Sequence, residues 1–169
     1  DIVFGDWSSD VCSSDLKGRG LMDNFEPGIY YNGFILKKSV FEKDMNSTIF
    51  SFEHQKTGAK LTAVKNDDDN KTFCIAFKTI PEDSTGVAHI LEHCVLSGSQ
   101  KYPVKDVFSE LYKGGLSTFM NAFTSTDSTY YPFSTRNLKE YFNFMNVYLD
   151  TTLFPLLTKN SFLQEGWHY

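Results

Sequence analysis

Hydrophobic and polar residues follow two different periods along the chain, and the change between them organises it. GFILKKSVF (33–41) is β-rich, and EKDMN after it is turn-like. In STIFSFEH (47–54), Phe50, Phe52 and His54 alternate with Ile49, Ser51 and Glu53. That period of two predicts a half-buried strand. KTGAK turns the chain into KLTAVKN, and KTFCIAFKTI follows beyond Asp67-Asp68-Asp69-Asn70. Two apolar runs around a four-residue polar segment predict a hairpin with DDDN at its tip. The three aspartates are better read as a solvated tip than as a cation site, because no loop-spaced Glu completes a calcium pattern.

The period then lengthens. Pro81–Gly86 is a polar turn with helix-start chemistry, and VAHILEHCVLSG places Val87, Ile90, Leu91, Cys94 and Val95 on a helical repeat, predicting a helix with a buried apolar side. A second helix is expected over Lys105–Lys113, stopped at Gly114-Gly115. LSTFMNAFTSTDSTYYPFST, rich in Thr, Phe and Tyr, predicts two strands around Ser125–Asp127. Leu138, Tyr141, Phe142, Met145, Tyr148 and Leu149 predict a long amphipathic helix from Arg136 to about Phe154. Pro155 breaks it, and a further helical stretch precedes Tyr169. Strands first, then helices mixed with strands, give an α+β class: a two-layer arrangement of an antiparallel-type sheet packed against helices.

Asp1–Leu16 stands apart from this pattern. It has no helical or strand period, carries four Asp and no Lys or Arg, and contains the near-repeat SSD-VC-SSD. DVCSSDL matches the in-frame translation of a sequencing adapter, so residues 1–16 are expected to be foreign and disordered, with Met22 a plausible native start. Setting them aside changes the charge argument. The chain of 169 residues has a formal charge of −5, but four of its 21 acidic residues lie in this stretch, leaving −1. The absence of a basic cluster, rather than acidity, therefore argues against nucleic acid as a partner. No apolar run approaches the roughly 18–20 residues of a membrane-spanning helix, so no membrane role is expected. Cysteines 12, 74 and 94 form no CxxC pair or disulfide framework, which favours a reducing compartment. With a start near Met22 and no targeting pattern, a cytoplasmic protein is expected.

Candidate chemistry concentrates in His89-Ile90-Leu91-Glu92-His93. On a helix, positions i, i+3 and i+4 share a face, so two imidazoles can approach one metal ion with a carboxylate beside them. Zinc (Zn2+) accepts two such nitrogens, and a nearby Glu can take the proton of an attacking water. HxxEH is the reverse order of HExxH and delivers the same groups. It arises by chance in about one of 200 chains of this composition, so the spacing carries information, though a helix with two His and a Glu on its solvent side remains the plain alternative. Cys94, next to His93, is expected to pack as a small hydrophobe, and Cys74, within a strand, to lie in the core.

HILEHCVLSGSQKYPVKDVFSELYKGGLSTFMNAFT, then YYPFST, YLDTTLFP and FLQEGWHY, resemble the pitrilysin/insulinase family of inverted zinc metallopeptidases, in wording nearest the presequence-protease and falcilysin branch. The resemblance runs from about Phe25 to Tyr169 and implies that 22–169 is the N-terminal part of a catalytic domain. It implies that His89 and His93 ligate zinc, that Glu92 is the catalytic base, and that the parent enzyme degrades short, unstructured peptides in a closed chamber. Asn121 and Ala122 fall on the family's substrate-side strand, where a peptide pairs with an exposed edge. Without the resemblance, that segment is a plain sheet strand. Neither His54 nor His168 sits at a family position for a third ligand. Glu165, in QEGW, resembles a glutamate that orients a ligand while the ligating glutamate comes later; direct ligation by Glu165 is the alternative. The ligand-bearing segment and the second half of the parent are therefore expected partners, and the chain alone is expected to be nearly inactive. A rival reading is a non-catalytic scaffold or subunit of the same fold, which the intact His89, Glu92 and His93 disfavour. A structural zinc module is disfavoured too, because no four-ligand Cys/His set is present.

Overall fold

The computed structural model describes residues 25–166, which divide into two compact units at Asp67/Asp68. The expected foreign stretch 1–16, Met22 and His168 lie outside the described residues.

The first unit is a four-stranded antiparallel sheet in chain order: β1 (Tyr30–Tyr31), β2 (Phe34–Glu42), β3 (Ser47–His54) and β4 (Lys60–Lys65). Asn32-Gly33 joins β1 to β2 with φ of +44° and +94°, the two positive values that a primed two-residue hairpin turn requires. A Cβ on Gly33 would also lie 3.0 Å from His54 Nε2. The alternation in β3 is realised: Phe50, Phe52 and His54 are buried, and the two phenylalanines join Leu36 in a small core edged by Phe25, Tyr31 and Phe34.

The second unit holds β5 (Lys71–Lys78), α1 (Val87–Val95), α2 (Val107–Gly114), β6 (Ser117–Met120), β7 (Phe123–Thr124), β8 (Ser128–Thr135), α3 (Leu138–Leu153) and α4 (Lys159–Glu165). Antiparallel strands again predominate: β8 is central, with β5 on one side and β6 and β7 both paired to it on the other. The helix α3 supplies Phe144 and Tyr148 to a core centred on Phe133, which is fully buried with Tyr148 at 5.0 Å and Phe144 at 5.5 Å between ring centroids. Antiparallel sheets with four helices make the α+β class expected from the sequence.

Four local expectations change. The hairpin around DDDN is absent: β4 pairs with β3 and β5 with β8, in separate sheets, and residues 66–70 link the two units. The Thr/Phe/Tyr-rich segment forms three strands, because one edge strand is interrupted at Asn121-Ala122. Opposite that break, Pro132 has no N–H to give, although its carbonyl accepts from Asn121 N at 3.1 Å. Cys74 is exposed, since Phe73, Ile75 and Phe77 take the core-facing positions of β5 and alternation turns Cys74 outward. Finally, the apolar side of α1 is only partly covered: Cys94 and Val95 are buried, but Val87 and Leu91 are exposed. The buried charged residue on this helix is Glu92.

The turns after α1 and α3 are stitched together, which sets α4 beside α1. Gln100 N donates to Phe154 O, Leu156 N donates to Gly98 O, and Lys101 N donates to Asp150 Oδ2. Gly98 sits at φ +115°, and a Cβ there would meet Val104 O at 2.6 Å, so this crossing admits glycine alone.

Candidate active site

All site residues expected from the sequence converge on one cleft of about 720 Å³ in the second unit. It is bounded by α1 (His89, Glu92, His93), by the interrupted edge strand (Asn121, Ala122) and by α4 (Glu165). His54 belongs to the first unit, where it is buried with Nδ1 2.7 Å from Thr57 Oγ1. There it packs against Phe34 and hydrogen-bonds to the turn between β3 and β4.

Helical spacing brings the two imidazoles of α1 together, with His89 Nε2 and His93 Nε2 3.2 Å apart and the rings edge to face. Two nitrogens each bound at 2.0–2.1 Å to a tetrahedral zinc stand about 3.3–3.4 Å apart, so this pair has the dimensions of one edge of such a site. The far side of His93 is also engaged: Glu165 Oε2 lies 3.1 Å from Nδ1, while Gln164 Nε2 donates to Glu165 Oε1 at 2.8 Å. With Nδ1–H given to that carboxylate, the lone pair of His93 resides on Nε2, toward His89. The donor set fits zinc through these two nitrogens. Among the described residues no group of three or more His, Cys, Asp or Glu is arranged to hold a metal.

Glu92 is 5% exposed, and its Oε2 accepts a hydrogen bond from Thr124 Oγ1 at 2.7 Å. Burying a carboxylate is costly unless it finds donors, so its placement here is a specific feature of the site. Burial and, second to it, the Glu92 charge push the Tyr131 phenol well above its ordinary range, keeping it protonated. Burial, reinforced by the Glu165 carboxylate, also raises the Cys94 thiol, consistent with a packing role. At the strand interruption Asn121 N points inward to Pro132 O, and Ala122 N–H is taken by Asn121 Oδ1 at 2.9 Å. By the alternation of an antiparallel edge, that second N–H faces away from the sheet.

Sequence reasoning leaves Thr124 without a role. It lies in the NAFT string, but its partner is 32 residues away on another element, and no local period announces such a contact. Gln164 is likewise visible in the sequence only as part of QEGW.

An inverted HxxEH helix, with its carboxylate buried against an edge strand, is the arrangement of an inverted-motif metallopeptidase. Residues 80–166 match the family model described as Insulinase (Peptidase family M16), and the chain belongs to that family, in its presequence-protease branch. It is 49% identical over 142 residues to "Presequence protease, mitochondrial" of Gibberella zeae, covering 84% of this chain and 14% of that protein. It is also 49% identical over 148 residues to "Protein HypA" of Clostridium perfringens, covering 86% of this chain and 15% of that one. A third relative, "Presequence protease 1, chloroplastic/mitochondrial" of Arabidopsis thaliana, is 49% identical over 139 residues, 81% of this chain and 13% of that protein. The crystal structure of pitrilysin superposes with a TM-score of 0.68 at 23% identity, over 79% of this chain and 15% of that chain, and shares the fold. The chain thus spans about one seventh of the length of the curated relatives it matches.

Proposed function

We propose that this chain carries the metal-binding helix of a larger zinc metallopeptidase that hydrolyses short, unstructured peptides. The observation that carries the reading is the His89–His93 pair, with Nε2 atoms 3.2 Å apart, beside the buried Glu92. His89 and His93 hold zinc, together with a third protein ligand that the described residues do not supply. Bound there, zinc supplies Lewis acidity, making water nucleophilic near neutral pH and polarising the peptide carbonyl. Glu92 takes the proton of the attacking water and delivers it to the departing amide nitrogen. Asn121 and Ala122 receive the peptide backbone along the open strand edge, the substrate's hydrogen-bonding groups replacing the local Asn121–Ala122 bond. Glu165 holds His93 in the tautomer that ligates. The presequence-protease names of the relatives support a peptide substrate, and the small share of those proteins spanned here supports further segments as partners in the site.

The experiment is His89→Ala in the full-length protein, with zinc content and peptide cleavage measured together. Both are expected to vanish; retained cleavage would overturn the zinc assignment. In parallel, residues 22–169 alone are expected to bind zinc weakly and to cleave little or nothing, since two imidazoles leave the ligand set incomplete. Robust turnover by that segment would show that no further ligand is needed.

A further inference from the structure

Behind Glu92 stands a file of three threonine hydroxyls. Thr124 Oγ1 is 2.7 Å from Glu92 Oε2, Thr129 Oγ1 is 3.3 Å from Thr124 Oγ1, and Thr79 Oγ1 is 2.8 Å from Thr129 Oγ1. They come from β7, from β8 and from the residue after β5, three segments of one sheet, with Thr124 directly opposite Thr129 in the ladder. Each hydroxyl has one hydrogen to give. An ionised carboxylate only accepts, so Thr124 must donate to Glu92. Its contact with Thr129 can then be satisfied only by Thr129 donating, and that of Thr129 with Thr79 only by Thr79 donating. The direction of the whole file is set by the carboxylate at its end. Thr129 is buried, and Thr79 is anchored by its backbone N–H to Asp127 O at 2.8 Å, so Thr124 and Thr129 stand on paired strands and Thr79 on the residue that continues β5.

We infer that Thr124 is a positioning residue for peptide hydrolysis: its hydroxyl, backed by Thr129 and Thr79, fixes the Glu92 carboxylate in the orientation that receives the proton of the attacking water. This rests on the reading of Glu92 as the base. One oxygen of the carboxylate is tied to the sheet, and rotation about the terminal side-chain torsion, otherwise broad for Glu, is restricted. A positioned acceptor matters in the transition state and little in substrate binding, so the hydroxyl should act on kcat and leave KM nearly alone. β-strand geometry is indifferent to the hydroxyl itself, because valine has nearly the same shape and suits the strand equally well.

The test is a set of variants of the full-length zinc protein: Thr124→Val, Thr124→Ser, Glu92→Gln, and Thr124→Val combined with Glu92→Gln. Thr124→Val is expected to lower kcat by about 10–100-fold, the range for a hydrogen bond to a charged group, with KM within about threefold and zinc content unchanged. Thr124→Ser restores the hydroxyl and is expected to recover kcat to within about threefold of the parent. In the combined variant Thr124→Val should cost nothing beyond Glu92→Gln alone, because it acts only through that carboxylate. The inference is overturned if Thr124→Val keeps full kcat, loses zinc, or falls no lower than Thr124→Ser, or if its penalty persists undiminished in the Glu92→Gln background. If Glu92→Gln itself stays active, the base assignment fails, and the positioning role fails with it. An inactive Glu92→Gln with a fully active Thr124→Val sinks the positioning role alone.

Discussion

Replacing Glu165 separates an orienting carboxylate from a metal ligand. Its Oε2 sits on His93 Nδ1 at 3.1 Å, on the opposite side of the ring from the nitrogen facing His89. Carboxylates in this position raise the basicity of the imidazole and hold its plane, and removing them lowers metal affinity by about 10–100-fold. The pair is partly open to water, with the His93 side chain 45% and the Glu165 side chain 23% exposed. Water can therefore replace part of the lost hydrogen bond, which selects the lower end: about tenfold, or ~1.4 kcal/mol, for Glu165→Ala. Glu165→Gln retains a carbonyl acceptor for Nδ1–H but not the charge, and is expected to lose only about threefold. The assay is zinc competition against a chromophoric chelator on the full-length protein, with metal content checked at saturation. Unchanged affinity in Glu165→Ala would refute the orienting role. A loss of three orders of magnitude or more, with one zinc per chain no longer reached, would refute it in the other direction by making Glu165 a ligand.

Two stability predictions follow from the same unit. Phe133→Ala removes a fully buried ring packed among Phe73, Tyr141, Phe144 and Tyr148 and is expected to cost about 3–5 kcal/mol, read as a lower midpoint in urea; a cost under about 1 kcal/mol would contradict the packing. Asp106 caps α2 by accepting from Ser109 N at 2.9 Å, so Asp106→Ala should cost about 1 kcal/mol. Ser109 hydrogen bonds hold that carboxyl below its ordinary value, so its contribution is present above the unfolded value and disappears as pH falls through the folded one. The parent protein and the Asp106→Ala variant should therefore converge in stability in acid, and a difference that widened there would contradict the cap.

Much of the fold is legible because local period and burial agree. Alternation in β3 buries Phe50 and Phe52, and α3 runs from Leu138 to Leu153 where its apolar repeat predicts it, capped by Asn137 through a bond from Glu140 N at 3.1 Å. The misreadings share a cause. Two apolar runs flanking a polar turn suggest a hairpin at Asp67–Asn70, yet β4 is an edge strand of one sheet and β5 an edge strand of the other, paired along their lengths with β3 and β8, and no local pattern announces those partners. Residue type alone places Cys74 in the core, although alternation gives one face of β5 to Phe73, Ile75 and Phe77 and leaves the other outside.

The sequence by itself determined how His89, Glu92 and His93 are grouped, because helical geometry is local: once residues 87–95 are helical, the three share a face whatever else folds around them. It also determined the family, through strings that persist across nearly the whole described chain. Only the tertiary structure decided what surrounds that triplet. The stitching of Gly98 and Gln100 to the end of α3 brings Glu165 to His93, and the sheet brings Thr124, with Thr129 and Thr79 behind it, to Glu92. Glu165 lies 72 residues from His93 and Thr124 lies 32 residues from Glu92, and burial of the Glu92 carboxylate follows from what packs against it rather than from any repeat in the sequence.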